Sequence, residues 1–190
     1  MSNKTKMVAT LVVVCVVAAA VLALVYNFTK QRIDERLDSE LAASLAVVLP
    51  EAKSFAVLEQ EDLSIDLSSL AEEVYVGRDQ SGKDIGLAYV KSAPGFKGDI
   101  RVLIGMSLPD GAITGVHILS HSETPDVGDK IEEDWFLEQY VGWNPGSEQE
   151  PEFDTITRAT VSSVAVNTVV KESARQIFQE LVPALGEGAR

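Results

Sequence analysis

"IRVLIGMSLPDGAITGVHILS", Ile100–Ser120, decides the fold. Two apolar-rich runs, Ile100–Leu108 and Ala112–Ser120, flank the turn signal Pro109-Asp110-Gly111. Strand-forming residues on both sides of such a turn predict a β-hairpin. Upstream, Glu73–Gly77 and Gly86–Ser92 read as two more strands around the turn region "RDQSGKDIG". Strands in unbroken succession point to an antiparallel sheet. Helical spacing surrounds this block. Ile33, Leu37, Leu41, Leu45 and Leu49 recur every fourth residue, a single apolar stripe that Pro50 ends. Ile131–Trp143 predicts a short helix with aromatic anchors. Ser163–Leu181 predicts a last amphipathic helix whose inner face is Val166, Val169, Val170, Ile177, Phe178 and Leu181. Residues 51–73 carry only weak signals. The expected class is α+β: one domain with a mainly antiparallel sheet and flanking helices.

The start of the chain is different in kind. Met7–Tyr26, "MVATLVVVCVVAAAVLALVY", holds no charged residue. Twenty helical residues span about 30 Å, the thickness of a bilayer core. A single transmembrane helix is therefore expected, with residues 1–32 as tip and anchor and 33–190 as the domain that follows it. Lys4 and Lys6 before the span nearly balance Lys30 and Arg32 after it, so charge specifies orientation weakly. The single Cys, Cys15, lies inside the apolar run, which rules out an intrachain disulfide.

Charge narrows the partners. The chain has 16 basic and 29 acidic residues, and residues 1–32 hold four of the basic and none of the acidic. The rest carries 12 basic against 29 acidic, a net of −17. Such a domain is repelled by phosphate backbones, which argues against nucleic-acid partners. Two histidines and no Cys/His cluster argue against a metal site. His121, Glu123 and Ser162 invite comparison with a hydrolase triad, but no nucleophile elbow accompanies them. No residue is assigned a catalytic role.

Two stretches concentrate polar chemistry. "HSETPDVGDK", His121–Lys130, follows the last strand and reads either as a solvated acidic turn or as a ligand wall in which His121 and Glu123 bond a heterocycle. "DTITRATVSS", Asp154–Ser163, stands before the last helix. Its hydroxyls serve either as an N-cap or as a phosphate seat, since a helix start exposes unpaired N–H groups and a positive dipole end.

Together the two stretches resemble the FMN-binding domain family. Asp154, Thr157, Ala159, Thr160 and Ser162 match the motif Asp-x-x-Ser/Thr-Gly-Ala-Thr-x-Ser/Thr. His121, Glu123, Thr124, Pro125 and Gly128 match the loop His-x-Glu-Thr-Pro-Gly-Leu-Gly. The strand pair before the loop and the anchor followed by a helix ending in "VLP" are also similar. Within the family the likeness is greatest to the G subunit of the Rnf electron-transport complex, then to the C subunit of the sodium-pumping NADH:quinone reductase. Three positions depart: Arg158 and Asp126 stand where the motifs have Gly, and Val127 where the loop has Leu.

The resemblance implies FMN joined through its phosphate to Thr160, attached by a separate FAD-dependent flavin transferase that uses Mg²⁺. It implies an electron-relay subunit of an ion-translocating complex in the bacterial inner membrane. The N-terminus would be cytoplasmic and the domain periplasmic, with other membrane and iron–sulfur subunits as partners. Asp154, Thr157, Ala159, Ser162 and Ser163 are expected to shape the attachment loop and its hydrogen bonds. His121, Glu123 and Thr124 would line the flavin; Arg158, which departs from the motif, is expected from its own charge to pair with the phosphate. The alternative is an anchored assembly module of such a complex that carries no flavin.

Overall fold

The computed structural model describes residues 40–59, 65–108 and 110–188. The chain divides into two units, Met1–Ala42 and Ala43–Arg190. The apolar run Met7–Tyr26, the stripe positions Ile33 and Leu37, and the boundary expected at residue 32 lie outside the described residues. Among the described residues no helix is long and apolar enough to cross a membrane.

Residues 40–48 are helical (α1). Five strands follow: β1 Ser54–Val57, β2 Glu73–Arg78, β3 Asp84–Pro94, β4 Asp99–Ser107 and β5 Ile113–Ser120. They form one antiparallel meander in the order β1-β2-β3-β4-β5. The predicted strands appear within a few residues of their expected ends. β1 and the one-turn helix α2, Leu67–Leu70, fall in the stretch with weak signals.

Both faces of the sheet are covered within the second unit. Gly77 pairs with Gly86, and Gly105 with Gly115, across neighbouring strands. These glycines form a trough for the end of α1. A Cβ on Gly105 would lie 2.3 Å from the Val48 carbonyl oxygen, and one on Gly86 would lie 2.7 Å from Leu49. The Thr114 hydroxyl closes the seat by donating to Val48 O at 2.5 Å. Leu45 and Leu49 of the apolar stripe are buried there, with Val48 beside them.

The other face carries the main core. Leu87, Tyr89, Val102, Ile104 and Met106 meet the last helix, α4, Thr160–Gly188. Of its expected inner face, Val166, Val170, Ile177 and Leu181 are buried and Val169 is partly so. Phe178 is half-buried, and Ser173 and Ala174 complete the buried row.

Two helix expectations are corrected. Ile131–Trp143 is not one helix but three short pieces: a 3-10 turn at Gly128–Glu132, α3 at Asp134–Leu137 and a 3-10 turn at Glu138–Tyr140. Glu133 is extended and breaks the run. Trp143 and Gly142 are tied through their backbones to Ile113 at the start of β5, so the segment follows the sheet edge rather than a helix axis. The last helix starts at Thr160, three residues before the expected Ser163. That shift places Thr160 inside the first turn.

Candidate flavin site

Two turns border the candidate site. In the first, the Thr124 carbonyl accepts from Val127 N, with Pro125 and Asp126 between them. In the second, the Ile156 carbonyl accepts from Ala159 N, with Thr157 and Arg158 between them. In each turn the third residue has positive φ: 60° at Asp126 and 74° at Arg158. Among the described residues these are the non-glycine positions with positive φ. A turn with positive φ only at its third position is type II, which normally selects Gly there. Both departures from the family's glycines therefore keep the glycine backbone and hang a side chain on it.

The second turn leads directly into α4. The first intrahelical bond runs from Ser163 N to Ala159 O at 2.9 Å, so Ala159 holds the cap position and Thr160 is the first helical residue. Alanine has no side-chain oxygen to cap with. Neither Thr160, Ser162 nor Ser163 is the N-cap. Among the described residues no acceptor is found for the N–H groups of Thr160, Val161 and Ser162, and the first turn has no acidic residue. The positive end of the helix is thus left open beside an exposed threonine hydroxyl.

The two serines are committed elsewhere. Ser163 is buried; its Oγ donates to Ala159 O at 2.8 Å and accepts from Ile156 N at 3.0 Å, which clips the turn to the helix. Ser162 Oγ donates to Glu123 Oε2 at 2.6 Å. That bond links α4 to the loop after β5. The other oxygen, Oε1, accepts from Lys97 N at 3.0 Å in the loop between β3 and β4.

Glu123 is 6% exposed and packed between glycines. A Cβ on Gly95 would come within 2.5 Å of Oε1, and one on Gly128 within 2.8 Å of the Glu123 Cβ. Burial alone would raise this carboxyl. The Ser162 hydroxyl, the N–H groups of Lys97 and Phe96, and nearby His121 together hold it below the usual carboxylate range.

His121 acts from behind this wall. Its Nδ1 accepts the Glu123 N–H at 3.0 Å, and its Nε2 faces Glu132 Oε1 at 2.9 Å. His121 orients Glu123 and is not among the residues that line the cleft. No triad forms, because Ser162 bonds Glu123 rather than a histidine.

The cleft itself has a volume of about 210 Å³. Thr124, Val127 and Gly128 form one wall, Arg158–Ser162 the other, and Phe96 stands at its edge. Phe96 is 68% exposed, and Val161 beside Thr160 is exposed too. Asp154 and Thr157 are exposed, and Asp154 contributes through its main chain. Asp154 N donates to Gln139 Oε1 at 2.7 Å, and Asp154 O accepts from Asn167 Nδ2 at 3.1 Å. No sequence motif marks Phe96; its one signal there is the flanking pair Gly95 and Gly98.

The residues present fit a flavin nucleotide. The open helix start and Arg158 suit a phosphate, Thr160 offers the hydroxyl, and Phe96, Val127 and Val161 offer an apolar face. Enclosing sites for such ligands are commonly about 300–1,000 Å³. The smaller volume here would enclose only part of such a ligand.

Comparison with known proteins agrees. The FMN-binding domain family matches residues 95–175. The G subunit of the Na⁺-translocating ferredoxin:NAD⁺ oxidoreductase complex of Acetobacterium woodii is 33% identical over 153 residues, 70% of this chain and 72% of that one. The G subunit of the ion-translocating oxidoreductase complex of Methanosarcina acetivorans is 31% identical over 166 residues, 85% of this chain and 88% of that one. In fold, the crystal structure of Shewanella oneidensis NqrC superposes with a TM-score of 0.51, covering 70% of this chain and 72% of that one at 20% identity. Both turns, the open helix start and these relatives converge: the chain belongs to the FMN-binding domain family and, within it, to the G subunits of ion-translocating oxidoreductase complexes.

Proposed function

We propose that Thr160 carries FMN as a phosphoester and that the chain is the flavin-bearing, electron-relaying subunit of an Rnf-type complex. The observation that carries this reading is the placement of Thr160. Its hydroxyl is exposed on the first turn of an uncapped helix and lines the cleft. Thr160 Oγ1 would form the new bond to the flavin-side phosphorus of FAD. The pyrophosphate bond would break, AMP would leave with the bridging oxygen, and the hydroxyl proton would pass to solvent or to the transferase. No electrons are exchanged in that step.

The remaining residues bind and orient. The N–H groups at the start of α4 favour the phosphate charge. Phe96, Val127 and Val161 offer the ring an apolar contact. Glu123, held by Ser162, Lys97 N and His121, keeps the facing wall in place, with Thr124 and Gly128 beside it. Asp154 and Thr157 hold the shape of the attachment loop. When bound, the flavin supplies the reversible redox chemistry, and the protein supplies position and electrostatics.

The apolar run Met7–Tyr26 supports a single-pass inner-membrane anchor with the N-terminus cytoplasmic and the domain periplasmic. The run has no charged residue, so an ion path through the bilayer belongs to partner subunits.

The test is denaturing electrophoresis under ultraviolet light, with protein from cells that express the flavin transferase. A fluorescent band is expected, and Thr160→Ala should lose it. A dark wild-type band sinks covalent attachment, and an intact mass without FMN then favours the flavin-free assembly role.

A further inference from the structure

Arg158 is a cation in an unusual position. It lines the cleft beside Thr160, and its backbone holds φ at 74°. Glycine would occupy that conformation without penalty, so the backbone gives no reason for an arginine. The side chain does not earn its place through an internal ion pair. Among the described residues, no carboxylate lies within ion-pair distance of it. The anionic group in the same cleft, Glu123, already has both oxygens engaged by Ser162 Oγ and Lys97 N. Residues 33–190 carry 12 basic against 29 acidic side chains, a field that repels a phosphate on approach.

We infer that Arg158 is a phosphate-positioning residue. Its guanidinium holds the phosphate end of the flavin nucleotide at the start of α4, before the ester to Thr160 exists and independently of it. The inference rests on the proposed function only for the presence of a flavin phosphate in this cleft. Arginine suits the task because its planar fork can take two phosphate oxygens at once. The consequence is a noncovalent preference for FMN over riboflavin, which have the same ring and differ by the phosphate.

The test uses the full chain in detergent with Thr160→Ala, so that no ester can form. FMN and riboflavin are titrated at low salt and followed by flavin fluorescence. FMN should bind about tenfold more tightly than riboflavin, and added salt should shrink the difference. Adding Arg158→Ala or Arg158→Gly should cut the ratio severalfold, leaving only what the open helix start supplies, while Arg158→Lys should keep more of it. Only Arg158→Gly should also raise the melting temperature, because alanine keeps a Cβ at the same φ. That split separates lost charge from altered folding.

An unchanged ratio in Arg158→Ala overturns the inference. So does the absence of any FMN preference, or of any FMN binding, at about millimolar ligand. The two proposals fail separately. An intact mass lacking FMN on natively produced protein, with an Arg158-dependent FMN preference, removes the ester and leaves the phosphate contact standing. Full flavinylation with no dependence on Arg158 does the reverse.

Discussion

The turn Thr124–Val127 and the turn Ile156–Ala159 share a backbone and differ in what holds it. Both are type II, and both put a side chain where φ is positive, at Asp126 and Arg158. The first turn supports itself. Pro125 pre-sets its own φ, Asp tolerates the left-handed region better than most residues, and Asp126 N donates to Asp129 Oδ2 at 3.0 Å. The second turn has no such local help. It is held from the helix by Ser163, which grips both Ile156 N and Ala159 O. A self-supporting turn explains its own residues. A turn kept in place from outside can carry a residue that the backbone disfavours, and there the side chain needs a separate reason.

The largest effect is expected where the two turns share a wall. Glu123→Ala leaves the Ser162 hydroxyl and Lys97 N–H without their acceptor and opens space between Gly95 and Gly128. We expect a loss of about 3 kcal/mol in urea unfolding, since each buried unpaired group costs about 1–3 kcal/mol. A loss below about 1 kcal/mol would show that the walls hold without the carboxylate. The pH dependence follows in sign. The folded carboxyl lies below its usual range, so its stabilisation is present above the unfolded value of about 4.3 and is lost as pH falls through the lower folded value. Glu123→Gln should therefore flatten the fall in stability below about pH 4.5.

Next comes the support that only the second turn has. Ser163→Ala removes the acceptor of Ile156 N and the donor to Ala159 O in a fully buried place. A loss of about 1.5 kcal/mol is expected by the same unfolding measurement. Hydrogen exchange should quicken at Ile156 and Ala159 and stay unchanged at Val127. Equal quickening at Val127 would mean that the two turns are supported as one unit.

How much of this is legible in sequence follows the same division. The hairpin of β4 and β5 reads directly, because apolar β-branched runs and a Pro-Asp-Gly turn are local signals. The row Val166, Val170, Ile177 and Leu181 reads from helical period alone. β1 and α2 do not, because four residues are too few for a period to emerge. The broken run after Gly128 reads wrongly as a helix, since its aromatic anchors are placed by packing on neighbours rather than by spacing. In the site, Thr160 and Glu123 stand out through the family's motifs. Phe96 does not, because one aromatic in a glycine loop has no pattern to join. The indirect role of His121 was also hidden, because it depends on which ring nitrogen faces which group.

The smallest effects should fall at the two strained positions, and their inequality is the sharpest test of the comparison. Arg158→Gly exchanges a side chain at φ 74° for the residue that backbone prefers. Relief of left-handed strain is about 1–2 kcal/mol, and the added freedom of glycine in the unfolded chain takes back about 0.5–1. The net gain should be about 0.5–1 kcal/mol, or about 2–3 °C in melting temperature for a domain of this size. Asp126→Gly has less to relieve, because Asp already tolerates φ 60°. Its gain in strain is offset by glycine entropy, and its melting temperature should shift by less than about 1 °C. Equal shifts would erase the distinction between a turn that supports itself and one held by the helix. A larger shift at Asp126 would invert it and move the retained strain, with its functional reading, to the other side of the cleft.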